Sequence, residues 1–311
     1  SSDLGVMIPI PQYPLYSASI KMFGGTQTNY YPDEENDWAL NRKILEEAYA
    51  QASAEGVKVK AIVVINPGNP TGAILDKESV YEVISFAKTH NLVIIADEVY
   101  QENLYGGEFT SFAKALGDEK NVVLFSLHSI SKGFYGECGH RGGYLEVRNS
   151  PLVAGTELNF IDLLLKQASV SLCANSVGQI MTYLMVSPPN SESRVRQKFI
   201  VEKEKVLANL YEKAMMVREA FKKMDGLESF GKTGAMYLFP RLNKLPKGTD
   251  DFDYCMALLE ETGLCTVNGS GFGLKNHLRI AFLPSKEQLE EVLPRWIEFH
   301  NRYVNGEQSL R

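Results

Sequence analysis

Short apolar runs alternate with helical patterns through the first half of the chain. The runs that predict strands lie at 6–10, 60–65, 92–96, 122–126 and 143–147. Between them, apolar residues recur at helical spacing over 37–55 and over 76–90, where Asp76 is a predicted N-cap. Because most runs are continuously apolar, they predict a mostly parallel sheet covered by helices on both faces. Functional side chains of such sheets gather beyond the carboxyl ends of the strands.

The second half has a different pattern, dominated by one charged helix predicted over 191–224. The apolar stripe expected along it consists of Phe199, Val206, Leu210, Ala214, Val217 and Phe221. Further short strands and helices are predicted at 236–239, 252–262, 264–267, 277–282 and 286–303. This pattern is typical of a smaller α+β domain. We therefore expect an α/β chain with a large domain at 1–190 and a small C-terminal domain at 191–311.

Composition and charge exclude several classes of protein. The chain has 311 residues with 44% hydrophobic and 23% charged positions, which is typical of a soluble globular protein. Its net charge of −6 and the lack of a dense basic stripe predict no nucleic-acid partner. No apolar run is long enough to span a bilayer, so no membrane partner is expected. The four cysteines lack metal-ligand spacing, which predicts free thiols and no metal site.

The loop Ser129-Ile130-Ser131-Lys132-Gly133 follows a predicted strand. A lysine in such a loop is, on its own, more often merely solvated. The functional interpretation is an amine nucleophile that holds an aldehyde cofactor as a Schiff base, with nearby hydroxyls on a phosphate. Arg141, nine positions after Lys132, could bind the same phosphate as a fixed cation.

Three other positions, and a tyrosine near one of them, invite both a structural and a functional interpretation. Asp97 ends a strand, where it could cap a turn or face a ligand, and Tyr100 lies three residues on. Asn69 lies in a rigid turn rich in proline and glycine, 66–72, and could donate to a ligand oxygen. Arg279 lies in a predicted strand, where either a structural ion pair or a substrate carboxylate would satisfy it.

Taken together and in this order, these features are far more specific than each alone. The chain resembles the fold-type I pyridoxal 5'-phosphate (PLP)-dependent aminotransferases and, more narrowly, the alanine aminotransferase subfamily. The resemblance covers nearly the whole chain. The segments that carry it are PIPQYPLYSASI (9–20), VVINPGNPTG (63–72), ADEVYQENLY (96–105), SKGFYGECGHRGGYLEV (131–147), GAMYLFPR (234–241), LLEETGLCTV (258–267) and GSGFG (269–273).

The resemblance implies a role for each matching position. Lys132 would bind the PLP aldehyde and move the proton during catalysis, and Asp97 would pair with the pyridine nitrogen. Arg279 would bind the substrate α-carboxylate. The remaining cofactor contacts implied are Tyr13 stacked on the ring, Asn69 and Tyr100 on the ring oxygen, and Ser129 and Arg141 on the phosphate.

The resemblance also implies a reaction and its partners. The expected reaction is reversible amino transfer from L-alanine to 2-oxoglutarate, giving pyruvate and L-glutamate in a ping-pong cycle, by a homodimer. A cytoplasmic location is expected, with the mitochondrial matrix as the second possibility. Another aminotransferase of this class, acting on kynurenine, aromatic or branched-chain substrates, and an inactive fragment without cofactor both stay open.

The chain departs from the family pattern in two places. Asn268 stands where the family has a proline before Gly-Ser-Gly-Phe-Gly, which is expected to loosen that loop. The family's segments before the Tyr13 region, including a glycine-rich turn that donates to the phosphate, have no counterpart here. An N-terminally incomplete large domain is therefore expected, and this chain alone is expected to fold poorly or to bind PLP weakly.

Overall fold

The protein is described by a computed structural model over residues 3–307. Its strands are β1 (Leu4–Pro9), β2 (Thr26–Tyr30), β3 (Lys58–Ile65), β4 (Val93–Asp97), β5 (Leu104–Tyr105), β6 (Leu124–Ser129), β7 (Gly143–Arg148), β8 (Leu227–Glu228), β9 (Thr233–Gly234), β10 (Tyr237–Leu238), β11 (Arg241–Leu242), β12 (Val267–Asn268) and β13 (Leu278–Ala281). Its helices are α1 (Leu15–Met22), α2 (Arg42–Ala54), α3 (Lys77–His90), α4 (Phe112–Leu116), α5 (Phe160–Ala168), α6 (Ser176–Val186), α7 (Arg194–Phe221), α8 (Asp251–Thr262) and α9 (Lys286–Val304).

A six-stranded sheet organises the first half, in the order β2-β1-β3-β4-β6-β7. All neighbouring strands are parallel except β7, which runs antiparallel to β6. The predicted α/β fold with a mostly parallel sheet is therefore confirmed. Because β3, β4 and β6 run in the same direction, the chain segments after Ile65, Asp97 and Ser129 emerge at one edge of the sheet.

Helices α2, α3 and α4 cover one face of this sheet and form its main core. Helix α3 begins where the sequence predicts, since the Asp76 carboxylate accepts a hydrogen bond from the Ser79 amide at 2.7 Å. The predicted start of α2 at Asp37 is wrong. Asp37 and Trp38 adopt left-handed backbone conformations, and the helix begins at Arg42 after an Asn41 cap.

The second half contains its own core, in which α7, α8 and α9 pack around the three-stranded sheet β10-β13-β12. The predicted apolar stripe of α7 is correct from Leu210 onward, where Ala214, Val217 and Phe221 are also buried. It is wrong at Val206, which is exposed, while Leu207 packs against the core instead. Among residues 3–307, no helix combines the length and the apolar character that crossing a bilayer requires.

The loop after Asn268 is held more firmly than its missing proline suggests. The carboxylate of Asp251, which is fully buried, accepts hydrogen bonds from the Ser270 amide at 2.6 Å and the Ser270 hydroxyl at 2.7 Å. The Gln12 amide donates to the Phe272 carbonyl at 3.1 Å, which joins this loop to the segment before α1. The two halves of the chain therefore meet beside the carboxyl edge of the large sheet.

Candidate active site

A cavity of about 450 Å³ lies at this edge, between the large sheet and the β10–β13 strands. The structure brings all eight residues predicted from the sequence to its wall. The cavity is lined by Tyr13, Leu15, Tyr16, Ile65, Asn69, Asp97, Val99, Tyr100, Leu127, His128, Ser129, Ser131, Lys132, Arg141, Tyr237 and Arg279. The predicted residues come from the ends of β4 and β6, from the segments after β1, β3, β4 and β6, and from β13, so the fold assembles a site that is dispersed in the sequence.

Asp97 is the acidic group of the cavity. The Tyr16 hydroxyl donates to its Oδ2 atom at 2.6 Å, and the Val99 amide donates to Oδ1 at 3.4 Å. Burial raises the pKa of Asp97, and these two hydrogen bonds partly oppose that shift. Burial and the neighbouring carboxylate also raise the pKa of Tyr16, so its hydroxyl stays a donor. A cation placed against Asp97 would offset the cost of burying its charge.

Lys132 projects from the loop after β6, with its Nζ atom 5.7 Å from the centre of the Tyr100 ring. The loop is held by Asn103, which is fully buried and whose Oδ1 atom accepts from the Gly133 amide at 2.8 Å. Gly133 has a φ of 69°, a conformation that favours glycine directly after the lysine. The backbone that carries Lys132 is therefore fixed by contacts outside the cavity.

Ser129, Ser131 and Arg141 form the polar end of the cavity. The Ser129 oxygen accepts from the Ser131 amide at 3.1 Å, and the two serine hydroxyls lie 2.9 Å apart. Arg141 has a φ of 48°, and its Nη1 atom donates to the Cys138 carbonyl at 2.7 Å. A Cβ atom on Gly142 would lie 2.4 Å from the Gly178 carbonyl, so this loop packs closely on α6. Hydroxyl donors next to an arginine can bind a phosphate group.

Arg279 enters the cavity from β13 and is held on three sides. Its Nη1 atom donates to Asn69 Oδ1 at 3.0 Å. Its guanidinium carbon lies 4.4 Å from the centre of the Tyr237 ring and 4.7 Å from that of Phe272. These contacts fix the plane of the guanidinium and satisfy one of its five donors with a neutral group. The remaining N–H groups of the planar guanidinium can donate to a carboxylate.

The electrostatics of the cavity favour an anionic ligand. Lys132, Arg141 and Arg279 all line it, and none of the three pairs with a carboxylate within residues 3–307. A molecule with a phosphate, an aldehyde and a protonated ring nitrogen fits this donor set, since Arg141, Lys132 and Asp97 offer the matching groups. In the described part of the chain, no cluster of His, Cys, Asp and Glu could hold a metal ion.

Sequence reasoning missed several side chains of this site. Tyr16, Ser131 and Tyr237 line the cavity, and Phe272 packs on Arg279. Tyr16 could have been found from its spacing, since it follows Tyr13 by about one turn of helix. Tyr237 lies in an apolar run, so the sequence alone makes it look like an ordinary core position. Phe272 lies in a glycine-rich loop, where nothing in the sequence indicates a contact with Arg279.

Comparisons with known proteins identify the family to which the chain is similar. The family model described as aminotransferase class I and II matches residues 2–295. The chain is 40% identical to a probable mitochondrial alanine aminotransferase of Dictyostelium discoideum, over 97% of this chain and 59% of that protein. It is 39% identical to glutamate–glyoxylate aminotransferase 2 of Arabidopsis thaliana, over 97% of this chain and 65% of that protein.

A solved structure extends the likeness to three dimensions. The alanine aminotransferase of Pyrococcus furiosus superposes with a TM-score of 0.82 at 27% identity, covering 96% of this chain and 70% of that one. The chain thus spans about three fifths of the length of the curated relatives it matches. On the match of family model, sequence and structure, the chain belongs to the class I and II aminotransferase family.

Proposed function

We propose that this chain is the PLP-binding and substrate-binding part of an alanine aminotransferase, which moves an amino group between L-alanine and 2-oxoglutarate. The observation that carries the proposal is the gathering of Lys132, Arg141 and Arg279 around one cavity with Asp97 as its acidic group. Within residues 3–307 the three cations have no carboxylate partner, so their positive charges favour the binding of phosphate and carboxylate groups.

The residues present fit PLP, and each has a proposed task in holding it. Ser129 and Arg141 would bind the phosphate, and Asp97 would face the ring nitrogen. Asn69 and Tyr100 would bond the ring oxygen, and Lys132 would form the covalent link. Tyr13, whose side chain is exposed at the mouth of the cavity, would stack on the ring. When bound, PLP supplies an electron sink for the carbanion formed at the substrate Cα.

The chain's own groups then act in sequence on the substrate. Arg279 binds the α-carboxylate with its planar fork and so fixes the direction of the Cα–H bond. Once the substrate amine has displaced Lys132 from the cofactor aldehyde, the freed Nζ atom would take the proton from Cα and deliver it to the carbon that was the aldehyde carbon, C4′. Asp97 keeps a proton on the ring nitrogen, and Tyr16 keeps Asp97 ionised by donating to its Oδ2 atom.

Alanine is supported as the amino donor by relatives whose names include alanine aminotransferase, at about 40% identity over nearly the whole chain. A second candidate acceptor is glyoxylate, because two relatives of similar identity are named glutamate–glyoxylate aminotransferase. Kynurenine, aromatic and branched-chain amino acids are further candidate donors for the same scaffold. All of these substrates share the α-carboxylate that Arg279 would bind.

The proposal is tested with purified protein, a panel of amino donors and PLP added to millimolar concentration, because this chain alone is expected to bind PLP weakly. We expect a new absorbance band from bound PLP and the highest kcat/KM for L-alanine with 2-oxoglutarate or glyoxylate. Bound PLP with a preference for an aromatic or branched-chain donor would reassign the substrate within the family. No spectral change at millimolar PLP would support an inactive fragment that binds no cofactor.

We also propose that the protein works as a homodimer. Helix α6, which packs beside the Arg141 loop, and helix α5 before it expose many apolar side chains. The more exposed of these are Ile161, Leu163, Leu165, Val177, Ile180, Tyr183, Leu184 and Val186. A surface of this kind is typical of an interface. Sedimentation of the PLP-loaded protein should give the mass of two chains, and a monomer at micromolar concentration would contradict the proposal.

The domain division and the location of the protein are proposals as well. The main core of the large sheet consists of residues before 190, and the second core consists, apart from Tyr105, of residues after 190, which supports a large domain at 1–190 and a small one at 191–311. Limited proteolysis that cuts first near 187–193 would support this boundary.

We propose a cytoplasmic location, with the mitochondrial matrix as the second possibility, and fractionation of cells that express the protein would distinguish the two.

A further inference from the structure

Tyr237 connects the two halves of the cavity. It lies on β10, where it pairs with Ala281 of β13, and its side chain is 9% exposed. Its hydroxyl oxygen is 3.2 Å from the Tyr100 hydroxyl oxygen, and its ring centre is 4.4 Å from the guanidinium carbon of Arg279. One side chain therefore contacts both the phenol proposed for the cofactor oxygen and the cation proposed for the substrate carboxylate.

The backbone that carries Tyr237 is fixed by the turn at 66–72. The Gly234 amide donates to the Gly72 carbonyl at 2.8 Å. A Cβ atom on Gly72 would lie 2.6 Å from the Tyr237 carbonyl, and Gly72 also has a φ of 70°. Glycine is thus required where this turn, which also carries Asn69, meets β10. The position of Tyr237 is set by the large sheet's own loop and not by the small domain alone.

The hydroxyl contact determines where the Tyr100 proton can go. Two phenols 3.2 Å apart share one hydrogen bond, in which one donates and the other accepts. In the structure the Tyr100 hydroxyl donates to the Tyr237 oxygen. Because each phenol can both donate and accept, a ligand oxygen beside Tyr100 would reverse this bond. Tyr237 would then donate to the Tyr100 oxygen, and the Tyr100 proton would point into the cavity. Burial and the proximity of Tyr237 both raise the pKa of Tyr100, so Tyr100 stays protonated and able to donate.

The ring contact determines how Arg279 is held. The guanidinium lies between the faces of Tyr237 and Phe272, at 4.4 and 4.7 Å, with Asn69 on its edge. A cation between two aromatic faces is attracted by both ring quadrupoles. Phe272 has no hydroxyl and provides the second face alone. The two contacts of Tyr237 can therefore be separated experimentally.

We propose that Tyr237 is a positioning residue with two separable actions: its hydroxyl orients the Tyr100 donor toward the cofactor, and its ring holds Arg279 for the substrate carboxylate. This inference rests on the proposed function. Tyr237→Phe removes the hydroxyl and keeps the ring, whereas Tyr237→Leu removes both. Phe272→Leu is the matched control, because it removes one face from Arg279 without touching the Tyr100 hydroxyl.

Two readouts test the two actions. The pH midpoint of the bound-cofactor absorbance reports the hydrogen bond to the ring oxygen. The propionate dissociation constant, measured by calorimetry with and without PLP, reports how well Arg279 binds a carboxylate. Tyr237→Phe should raise the absorbance midpoint by about 0.5 pH units, as expected for one weakened hydrogen bond. It should lower kcat and leave the propionate Kd and the KM for alanine within about twofold of the wild-type values.

Tyr237→Leu should raise the absorbance midpoint in the same way and also raise the propionate Kd by about fivefold, since one cation–π contact is lost. Phe272→Leu should raise the propionate Kd without moving the midpoint. An unchanged midpoint in Tyr237→Phe, or an unchanged propionate Kd in Tyr237→Leu, would overturn the proposal. Absence of PLP binding by the wild-type protein would instead overturn the proposed function, and propionate binding to the PLP-free protein tests the ring contact even then.

Discussion

The Tyr16 hydroxyl donates a hydrogen bond of 2.6 Å to the Oδ2 atom of Asp97. Tyr16 lies on α1 and Asp97 ends β4, so the contact joins residues 81 positions apart across the β1–β3–β4 part of the sheet. Burial favours the protonated form of Asp97, whereas the Tyr16 hydroxyl favours the carboxylate. Tyr16 is thus the side chain of this cavity that most opposes the rise in the pKa of Asp97 caused by burial.

Tyr16→Phe is expected to impair activity most at low pH. Without the donor, the pKa of Asp97 rises further above its usual range, and the carboxylate is protonated at a higher pH. The loss of activity on the acidic side should therefore begin at a higher pH than in the wild-type protein. Since a hydrogen bond to a charged group is lost, kcat should also fall by roughly tenfold or more at neutral pH.

The pH profile of kcat/KM checks this expectation. Tyr31→Phe is the matched control, because Tyr31 is exposed and does not line the cavity. It should leave the profile unchanged. If Tyr16→Phe also kept the wild-type acidic limb, the hydrogen bond to Asp97 would have no part in maintaining its charge.

Arg279→Lys should weaken the binding of both the amino acid and the oxo acid, because a point charge replaces a bidentate fork. We expect the dissociation constants of both to rise by about 10-fold to 100-fold. Half-reactions followed separately by absorbance measure the two effects. Arg295→Lys, at an exposed arginine on α9, is the control. A loss confined to one of the two substrates would contradict a shared carboxylate site at Arg279.

Glu98→Gln should stabilise the fold more at high pH than at low pH. Burial raises the pKa of Glu98 from its usual value near 4.5 to about 7, and its Oε1 atom accepts from the Phe112 amide at 2.8 Å. The folded state therefore holds this proton more tightly than the unfolded state does. The stability that the protonated group contributes is present in full below pH 4.5 and is lost as the pH rises through 7.

The glutamine keeps the oxygen that accepts from the Phe112 amide and has no charge to bury. The free energy of unfolding of the variant, relative to the wild-type protein, should therefore increase by about 3 kcal/mol as the pH rises through this range. Urea unfolding at about pH 5 and about pH 8 measures it without any cofactor. The exposed Glu108→Gln serves as control. An advantage of Glu98→Gln that is equal at both pH values would show that Glu98 does not carry a raised pKa.

The sequence predicted most strands of the sheet from local apolar runs, and most of the eight cavity residues from their places after those runs. Tyr13 was predicted from the family resemblance alone. Continuous apolar runs predicted β3 and β4, and polar residues at their ends marked Asn69 and Asp97. Strand β2 was missed, because Thr26–Tyr30 is rich in polar residues at the edge of the sheet. Tyr16 and Tyr237 were missed, because their partners Asp97 and Tyr100 approach them only after distant segments have packed together.

The beginning of α2 and the exposed Val206 show the limits of periodicity. Helical spacing continued back to Asp37, but the left-handed backbone at Asp37 and Trp38 places the first helical turn after Asn41. Val206 fits the apolar stripe of α7, yet the first turns of this long helix extend beyond the core that buries Leu210. A periodic pattern shows which face of a helix is apolar and not how much of that face has a partner.

The most direct test of the proposed active site is to reduce the PLP-loaded protein with borohydride and to map the modified lysine by mass spectrometry. We predict that PLP becomes covalently attached to Lys132, and that Lys132→Ala abolishes the adduct, the absorbance near ~400–430 nm that a protein-bound Schiff base gives, and transamination. Lys114→Ala, at an exposed lysine of α4, should change none of these. An adduct on another lysine, or an active Lys132→Ala protein, would contradict the assignment of this cavity as the active site.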